Sequence, residues 1–197
     1  GNAGELATRG LDVDFEWLTG MDGLRFTGSL AFNDAEIDGY VGQCYGGQTV
    51  AQGCNQVLVA GVYRLQDYGG RTPTKAPELA ARLGTRYEFP VADNLYGLLS
   101  LDMNYSDDYN YTDTLRPDGV QKSFTRIDMS LRFVNQKSNW EIALIGRNLT
   151  NEYIVTSAND MTFTGGSGTG TTAGIVSDLN AVVMRPREYY IEVAKRF

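Results

Sequence analysis

The chain has 197 residues, enough for one domain of ordinary size, and carries a formal net charge of -7. This acidic balance disfavours nucleic acid as a partner, because the chain would repel a phosphate backbone. It contains no His, so the commonest general base and metal ligand are both missing. The 23 Gly, 12 Tyr and 8 Phe suit strands and turns better than helices.

The first two predicted strands show a hydrophobic period of two. Over Leu11–Trp17, apolar residues occupy the odd positions and acidic residues the even ones. Residues 19–23 predict a short turn, and the alternation resumes over Leu24–Phe32. Because successive side chains of a strand point to opposite faces, each strand is expected to have one apolar and one polar face.

A long polar stretch from about Glu36 to Pro77 follows and contains the only two cysteines, Cys44 and Cys54. Two Cys in one loop rich in Gly and Gln favour a disulfide and an oxidising compartment. The alternative is a pair of free thiols in a cytosolic protein. A metal site is less favoured, because the chain has no His or further Cys to complete it.

The third and fourth predicted strands follow this loop. Apolar residues alternate over Leu79–Phe89 and again over Leu95–Tyr105, with Pro90–Asn94 predicted as the turn between them. A connection of medium length extends from about Ser106 to Lys122. The two strands are therefore expected to form a hairpin.

The last three predicted strands continue the pattern. The fifth covers Thr125–Phe133, and residues 135–139 turn the chain into the sixth, which begins at Trp140. A stretch rich in Gly, Thr and Ser extends from about residue 150 to 184, and the seventh strand begins near Pro186. The sequence thus predicts an all-β chain of about seven strands.

The lengths of the connections alternate: short, long, short, medium, short, long. Such alternation predicts an antiparallel up-and-down meander with tight turns at one edge and long loops at the other, as in transmembrane barrels. An apolar face opposite a charged face suits a wall between lipid and a wet lumen. A soluble all-β binding module is the alternative, although short and long connections are not expected to alternate strictly in such a fold. Seven strands do not complete a bacterial single-chain barrel, in which the number is even, so further strands are expected upstream.

Five segments resemble parts of the TonB-dependent outer-membrane receptors. Gly146–Tyr153, which reads GRNLTNEY, looks like their penultimate strand and following loop, where Asn-Leu-x-Asn and an aromatic are frequent. Arg185–Phe197, which reads RPREYYIEVAKRF, resembles their closing strand, which typically starts at Pro-Arg and ends in Phe. Residues 70–77, 9–15 and 33–36 are also similar to the family, and the order of the segments makes the match stronger than any one of them.

The closing strand would carry the barrel closure and insertion signal. The resemblance assigns this role to Tyr189, Ile191, Val193 and Phe197. Lys195 departs from the pattern, because many outer-membrane proteins have an aromatic or apolar residue at that place.

The resemblance implies that residues 1–197 form the C-terminal part of a 22-stranded transmembrane β-barrel, with the plug and earlier strands absent. It further implies an active transporter in the outer membrane of a Gram-negative bacterium, importing a scarce nutrient such as an iron–siderophore chelate, cobalamin or an oligosaccharide. The expected partners are membrane lipid, an N-terminal plug domain, the TonB complex and the small-molecule nutrient. A structural or adhesive barrel that displays binding loops without transport is the alternative.

Tyrosines in the expected outer loops are candidates for ligand contact. In the family these loops help to capture the ligand, and an exposed Tyr can stack on a sugar ring or a flat chelate. The alternative is a loop packed by its own aromatic side chains. The candidates are Tyr40, Tyr45, Tyr63, Tyr68, Tyr109 and Tyr111.

Other polar groups carry weaker predictions. Asp107, Asp108 and Asp113 offer oxygen ligands for Ca²⁺, but without EF-hand spacing a solvated acidic loop is favoured. Residues 164–170 are rich in Gly but lack the Lys of a phosphate loop, which favours a surface loop. Charges on the polar face are expected to pair across strands or with the plug. We therefore expect no catalytic residues, no resident metal, no cofactor and no enzymatic activity.

Overall fold

The computed structural model describes residues 4–161, 163–167 and 175–195, and more than half of these residues lie in β-strands. The helical content of the described ranges is two single turns of 3₁₀ helix, at Val50–Gln52 and Gly165–Ser167. No helix there has the length or apolar character needed to cross a membrane.

Fourteen strands occur in the described residues. Their bounds are β1 Glu5–Leu18, β2 Leu24–Asp38, β3 Val41–Gln43, β4 Gln56–Val59, β5 Val62–Asp67, β6 Leu79–Ala92, β7 Leu95–Ser106, β8 Tyr109–Asn110, β9 Val120–Gln121, β10 Phe124–Asn135, β11 Trp140–Arg147, β12 Val155–Asp160, β13 Leu179–Val183 and β14 Glu188–Lys195.

The seven long strands form one sheet in the order β1-β2-β6-β7-β10-β11-β14, and every neighbouring pair is antiparallel. Strands that follow each other along this wall are therefore neighbours in the sheet. The predicted up-and-down meander of seven strands is confirmed.

Three tight turns lie at one edge of the sheet, between β1 and β2, β6 and β7, and β10 and β11. Gly23 has a φ of +79°, and a Cβ added there would lie 2.0 Å from the carbonyl oxygen of Glu88 on β6. Only glycine fits this combination of left-handed backbone and close approach. Asn94, with a φ of 61°, supplies the left-handed residue of the second turn.

One face of the wall is apolar across all seven strands. Phe15 pairs with Gly28, which pairs with Leu83, and the same row continues through Met103 and Ile127. Directly paired residues of a sheet lie on the same face, so the apolar positions of successive strands join into one surface. Large side chains of this surface are exposed in each of the seven strands of the wall. Exposed members include Leu11, Val13, Phe15, Trp17, Leu30, Phe32, Leu83, Leu101, Met103, Met129, Ile142, Leu144, Tyr189, Ile191 and Val193.

The opposite face carries ion pairs. A guanidinium nitrogen of Arg82 on β6 lies 2.7 Å from a carboxylate oxygen of Asp102 on β7. Arg132 on β10 pairs with Glu141 on β11 and lies 3.7 Å from Glu192 on β14. The predicted pairing of charges across strands is confirmed for these residues. Each exposed pair adds little stability, at most about 1 kcal/mol.

Strand bounds differ from the sequence prediction at several ends. β1 begins at Glu5 rather than Leu11, and β2 continues to Asp38, because the two strands pair without interruption along their whole length. The predicted turn from Pro90 to Asn94 is shorter, since β6 extends to Ala92 through a register shift. Pro has no N–H to donate to the ladder, and a bulge accommodates it.

The long connections contain their own small sheets, which the sequence did not predict. The first holds a three-stranded sheet in the order β3-β5-β4, the second pairs β8 with β9, and the third pairs β12 with β13. The described parts of these loops therefore form small sheets at one edge of the wall.

Candidate functional site: a layer of three outer loops

Three long connections leave the same edge of the wall, opposite the tight turns. We call residues 39–78 the first loop, 107–123 the second loop and 148–187 the third loop. Their contacts with one another define the layer that a molecule approaching this edge would meet.

Arg116, in the second loop, lies at the centre of this layer and its side chain is only 2% exposed. Its Nε and one terminal nitrogen donate to both carboxylate oxygens of Asp118, at 3.0 and 2.7 Å. The other terminal nitrogen forms an ion pair with Asp160 and donates to the carbonyl oxygen of Ser177 at 2.9 Å. A buried charge is tolerated when its donors are paired, and here both carboxylates supply that pairing.

Asp160 joins the third loop to the first. One of its carboxylate oxygens accepts a hydrogen bond from the backbone N–H of Gly46 at 2.7 Å. The other accepts from the hydroxyl of Ser177 at 2.7 Å, and the backbone N–H of Ser177 donates to the carbonyl of Gly46 at 3.0 Å. Arg116 and Asp160 therefore tie all three loops together, and we call this group the loop clasp: Gly46, Arg116, Asp118, Asp160 and Ser177.

The clasp shifts the pKa values of its acidic groups. Burial raises the pKa of Asp160, but hydrogen bonds from Gly46, Ser177 and Arg116 outweigh it, so the net pKa is below the ordinary value. The Arg116 guanidinium lowers the pKa of the Asp118 carboxyl against a smaller effect of burial. Both carboxylates stay charged at neutral pH, which keeps the clasp closed.

Gln66 on β5 makes a second junction and is fully buried. Its amide nitrogen donates to the carbonyl of Thr114 in the second loop at 3.1 Å and to the carbonyl of Gln43 at 3.1 Å. Its amide oxygen accepts from Gln48 and from Arg71, each at 3.0 Å. All of its hydrogen-bonding capacity is thus used within the loop layer.

The predicted disulfide between Cys44 and Cys54 is confirmed, with 5.7 Å between the Cα atoms. It links the end of β3 to the segment that precedes β4. The bond therefore fixes the base of the β4–β5 hairpin, which extends from the first loop.

The six candidate tyrosines divide into two groups. Tyr45 and Tyr68 are buried: the Arg116 guanidinium lies 5.7 Å from the Tyr45 ring centre, and the Tyr68 hydroxyl donates to the Gln43 carbonyl at 2.7 Å. Burial raises the pKa of both hydroxyls. Their rings pack within the layer, so contact with a ligand would require the loops to open.

The other four tyrosines lie nearer the surface. Tyr63 is 39% exposed on the β4–β5 hairpin, and Tyr40 is half-buried against Tyr68, with 5.4 Å between ring centres. In the second loop, the Tyr109 hydroxyl donates to the Val155 carbonyl at 3.0 Å, and the half-buried Tyr111 donates to the Asp118 carbonyl at 3.4 Å. Ligand contact by these residues stays a prediction.

The acidic and glycine-rich stretches gather no ligand set in the described part of the chain. Asp107 accepts a hydrogen bond from the backbone N–H of Asp108 at 3.1 Å, which occupies it within its own loop, and Asp113 is exposed. Across residues 4–161, 163–167 and 175–195, no three acidic or Cys side chains converge to hold a metal ion. Residues 168–170 of the glycine-rich stretch lie outside the described residues.

Three of the four residues predicted to carry the closure signal lie on β14, at the end of the wall sheet, and this role stays a prediction. Tyr189, Ile191 and Val193 are exposed on the apolar face, and Lys195 lies on that face opposite Trp140. The Lys195 ammonium donates to the carbonyl of Ser138 in the neighbouring turn, which gives the charged group a polar partner. Phe197 lies outside the described residues.

The sequence did not point to Arg116, Gln66 or Asp160. A polar residue in a polar loop is ordinarily solvated, and two of the three partners of the Arg116 side chain, Asp160 and Ser177, lie 44 and 61 positions further along the chain. The local signal that remains is Pro117 and Asp118 beside Arg116, which indicates a turn but not a buried cation.

The sequence and the fold of this chain are similar to those of known outer-membrane receptors. The family model of TonB-dependent receptor-like β-barrels matches residues 1–149. Two receptors from Acinetobacter baumannii have a similar fold: the siderophore receptor PiuA, at 18% identity with a TM-score of 0.62, and the ferric preacinetobactin receptor BauA, at 18% with 0.58. The comparison with curated proteins gave no match.

The aligned region covers 96% of this chain and 22% of PiuA, and 97% of this chain and 22% of BauA. The chain therefore spans about a fifth of the length of either receptor. The family model covers more than half of the chain, and the seven-stranded antiparallel wall agrees with it. The chain belongs to the TonB-dependent receptor β-barrel family.

Proposed function

We propose that this chain is the C-terminal wall segment of an outer-membrane receptor that imports a scarce nutrient with energy delivered through TonB. The observation that supports the proposal best is the two-faced sheet, apolar on one side and ion-paired on the other, with all long loops at one edge. A wall between lipid and a lumen needs these features together.

In this proposal residues 1–197 supply the last strands of a 22-stranded barrel. The apolar face meets lipid, the charged face meets the lumen and an N-terminal plug, and the tight turns face the periplasm. β1 and β14 each have one edge without a partner among the described strands. In the complete receptor these edges pair with earlier strands, which removes two exposed templates for aggregation.

The loop layer then lies outside the cell, where it would meet the nutrient first. PiuA and BauA are siderophore receptors, which favours an iron chelate over cobalamin or an oligosaccharide as the cargo. Tyr40, Tyr63, Tyr109 and Tyr111 are our candidates for stacking on the ligand, because their side chains lie at the surface of the layer or just beneath it. Tyr45 and Tyr68 would serve mainly to pack the loops.

Growth of a strain that lacks the complete gene tests the proposal. The strain is supplied in turn with iron chelates, with cobalamin and with oligosaccharides, each as the limiting nutrient. We expect a growth defect on one class, restored by the complete gene and not restored in a strain without TonB. Normal growth and uptake on every class would favour the structural or adhesive alternative and overturn the proposal.

A further inference from the structure

We propose that Arg126 and Arg147 form a binding site for a carboxylate or a similar anionic oxygen group on the charged face of the wall. The inference rests on the proposed function, since it names a chemical class that the lumen would recognise. The site lies at the end of the wall nearest the loops.

The site is a cavity of about 340 Å³ between β10, β11 and the start of β14. Arg126 lies near the beginning of β10, and Arg147 is the last residue of β11, directly paired with Glu188 on β14. Met184 and Arg185, at the end of the third loop, complete the rim. The cavity therefore opens on the face that the proposal assigns to the lumen.

The charges around this cavity do not cancel. Three guanidinium groups line it, on Arg126, Arg147 and Arg185, against the carboxylates of Asp128 and Glu188. The carboxylate of Asp128 already has two partners: it lies 3.0 Å from Arg126, and it accepts a hydrogen bond from the backbone N–H of Asn148 at 2.7 Å. A local excess of positive charge in a chain of net charge -7 favours an anionic occupant.

Arg147 carries the donors that such an occupant would use. Its guanidinium lies 5.4 Å from the ring centre of Tyr190. In the described part of the chain, no carboxylate lies within 4.0 Å of it and no acceptor takes a hydrogen bond from its side chain. A guanidinium held over an aromatic ring presents its edge in a fixed plane, which suits the two oxygens of a carboxylate.

Arg126 is also incompletely satisfied. Its Nε is buried and has no hydrogen-bond partner, and one terminal nitrogen contacts only the sulfur of Met184, at 3.9 Å. Thioether sulfur is a weak acceptor, and an unpaired buried donor is unfavourable. Rotation of this side chain towards an anion in the cavity would give these donors an acceptor.

Two other arginines of the charged face form ion pairs with carboxylates of neighbouring wall strands. Arg82 has Asp102 at 2.7 Å, and Arg132 has Glu141 and Glu192. Arg147 has no such carboxylate among the described residues, and neither does the exposed Arg86 on β6, so Arg147 is distinguished by the Tyr190 ring beside it and by the incompletely satisfied Arg126 that lines the same cavity. The anionic group has two possible sources, the imported molecule or a carboxylate of the plug that fills the lumen.

Binding of citrate to the purified full-length receptor tests the site, with triethyl citrate as the uncharged control. We expect citrate but not its ester to bind, and Arg147→Gln to weaken binding by about tenfold or more, as expected for hydrogen bonds to a charged group. Arg147→Lys should give an intermediate loss, because it keeps the charge without the planar pair of donors. Arg64→Gln, at an exposed arginine on the β4–β5 hairpin, is the matched control and should bind as the wild type does.

A second arm identifies the source of the anion. If the wild type binds citrate through Arg147, the imported molecule is the source. If citrate binds only after plug carboxylates are changed to amides, and Arg147→Gln abolishes that binding, the plug is the source. No binding in either background, or equal binding by wild type and Arg147→Gln, overturns the site, whatever the growth experiment shows about transport.

Discussion

The guanidinium of Arg116 forms an ion pair with the carboxylate of Asp160, which lies 44 residues later in the chain and in a different loop. Asp160 in turn accepts a hydrogen bond from Gly46, so a contact between two side chains connects all three outer loops. The layer at the mouth of the wall is therefore held by specific polar bonds together with buried apolar side chains, among them Tyr45, Ile154 and Ala158.

Arg116→Met should open the loop layer. The substitution leaves Asp160 without its cation, and removal of one partner of a buried ion pair typically costs about 3–5 kcal/mol. Hydrogen exchange of the full-length receptor, followed by mass spectrometry, should show faster exchange over residues 44–48 and 155–160. Arg64→Met is the control, because Arg64 is exposed, and it should leave the exchange unchanged. Equal exchange in both variants would show that the clasp does not hold the loops.

Acid should loosen the same layer. The folded-state pKa of Asp118 and of Asp160 is lowered from 3.8. Such a group contributes stability that is fully present above its unfolded pKa and is lost as the pH falls through the lowered value. We expect the distance between spin labels at Val62 and Met161 to be narrowly distributed at pH 7 and to broaden below about pH 3.8.

Asp160→Asn supplies the control for this pH dependence. Its amide cannot titrate, so the variant should show a broad distance distribution at both pH values. A wild-type distribution that stays narrow well below pH 3.8, or that broadens already near pH 6, would contradict the assignment to these carboxylates.

Reduction of the Cys44–Cys54 disulfide should destabilise the first loop alone. For a separation of 10 residues, loss of the cross-link is expected to cost about 2.7 kcal/mol through greater freedom of the unfolded loop. Limited proteolysis of the receptor with and without a reducing agent should reveal new cuts within residues 44–54. New cuts in the wall strands instead would contradict this local role, and Cys44→Ser should reproduce the reduced pattern.

A charge on the apolar face should be costly, whereas the same charge on the opposite face should be tolerated. Leu101→Lys places an ammonium group in lipid, at an expected cost of about 2–4 kcal/mol if the position is near the middle of the membrane. Ser100→Lys, one residue away on β7, places the same group in the lumen and is the matched control. Denaturant unfolding of the receptor in lipid vesicles measures the difference, and equal losses would argue against the assigned faces.

The wall was predictable from the sequence because each strand's own residues, without its partners, show the pattern that defines it. Period-two alternation from Leu11 to Trp17 is visible without knowing any partner, and short polar interruptions mark the turns. Strand ends were predicted less accurately, because residues Glu5–Gly10 lack regular alternation and their strand is defined by pairing with the end of β2.

The loop layer was not predictable, because its structure depends on contacts between residues that lie far apart in the sequence. β4 reads Gln-Val-Leu-Val, a short run with no alternation, and its pairing with β5 is apparent only in three dimensions. Arg116 and Gln66 each form hydrogen bonds to a residue of another loop, and their own neighbours in the sequence resemble those of solvated residues. The disulfide could be predicted because only two Cys share one loop.

The central claim is that alternate side chains of each wall strand face lipid and water. Single spin labels placed at each position from Ile127 to Phe133, in the full-length receptor in lipid vesicles, test it most directly. Collisions with oxygen should peak at Ile127, Met129, Leu131 and Phe133, and collisions with a water-soluble nickel chelate at the three positions between them. A uniform response along the strand, or the reverse alternation, would contradict the claim.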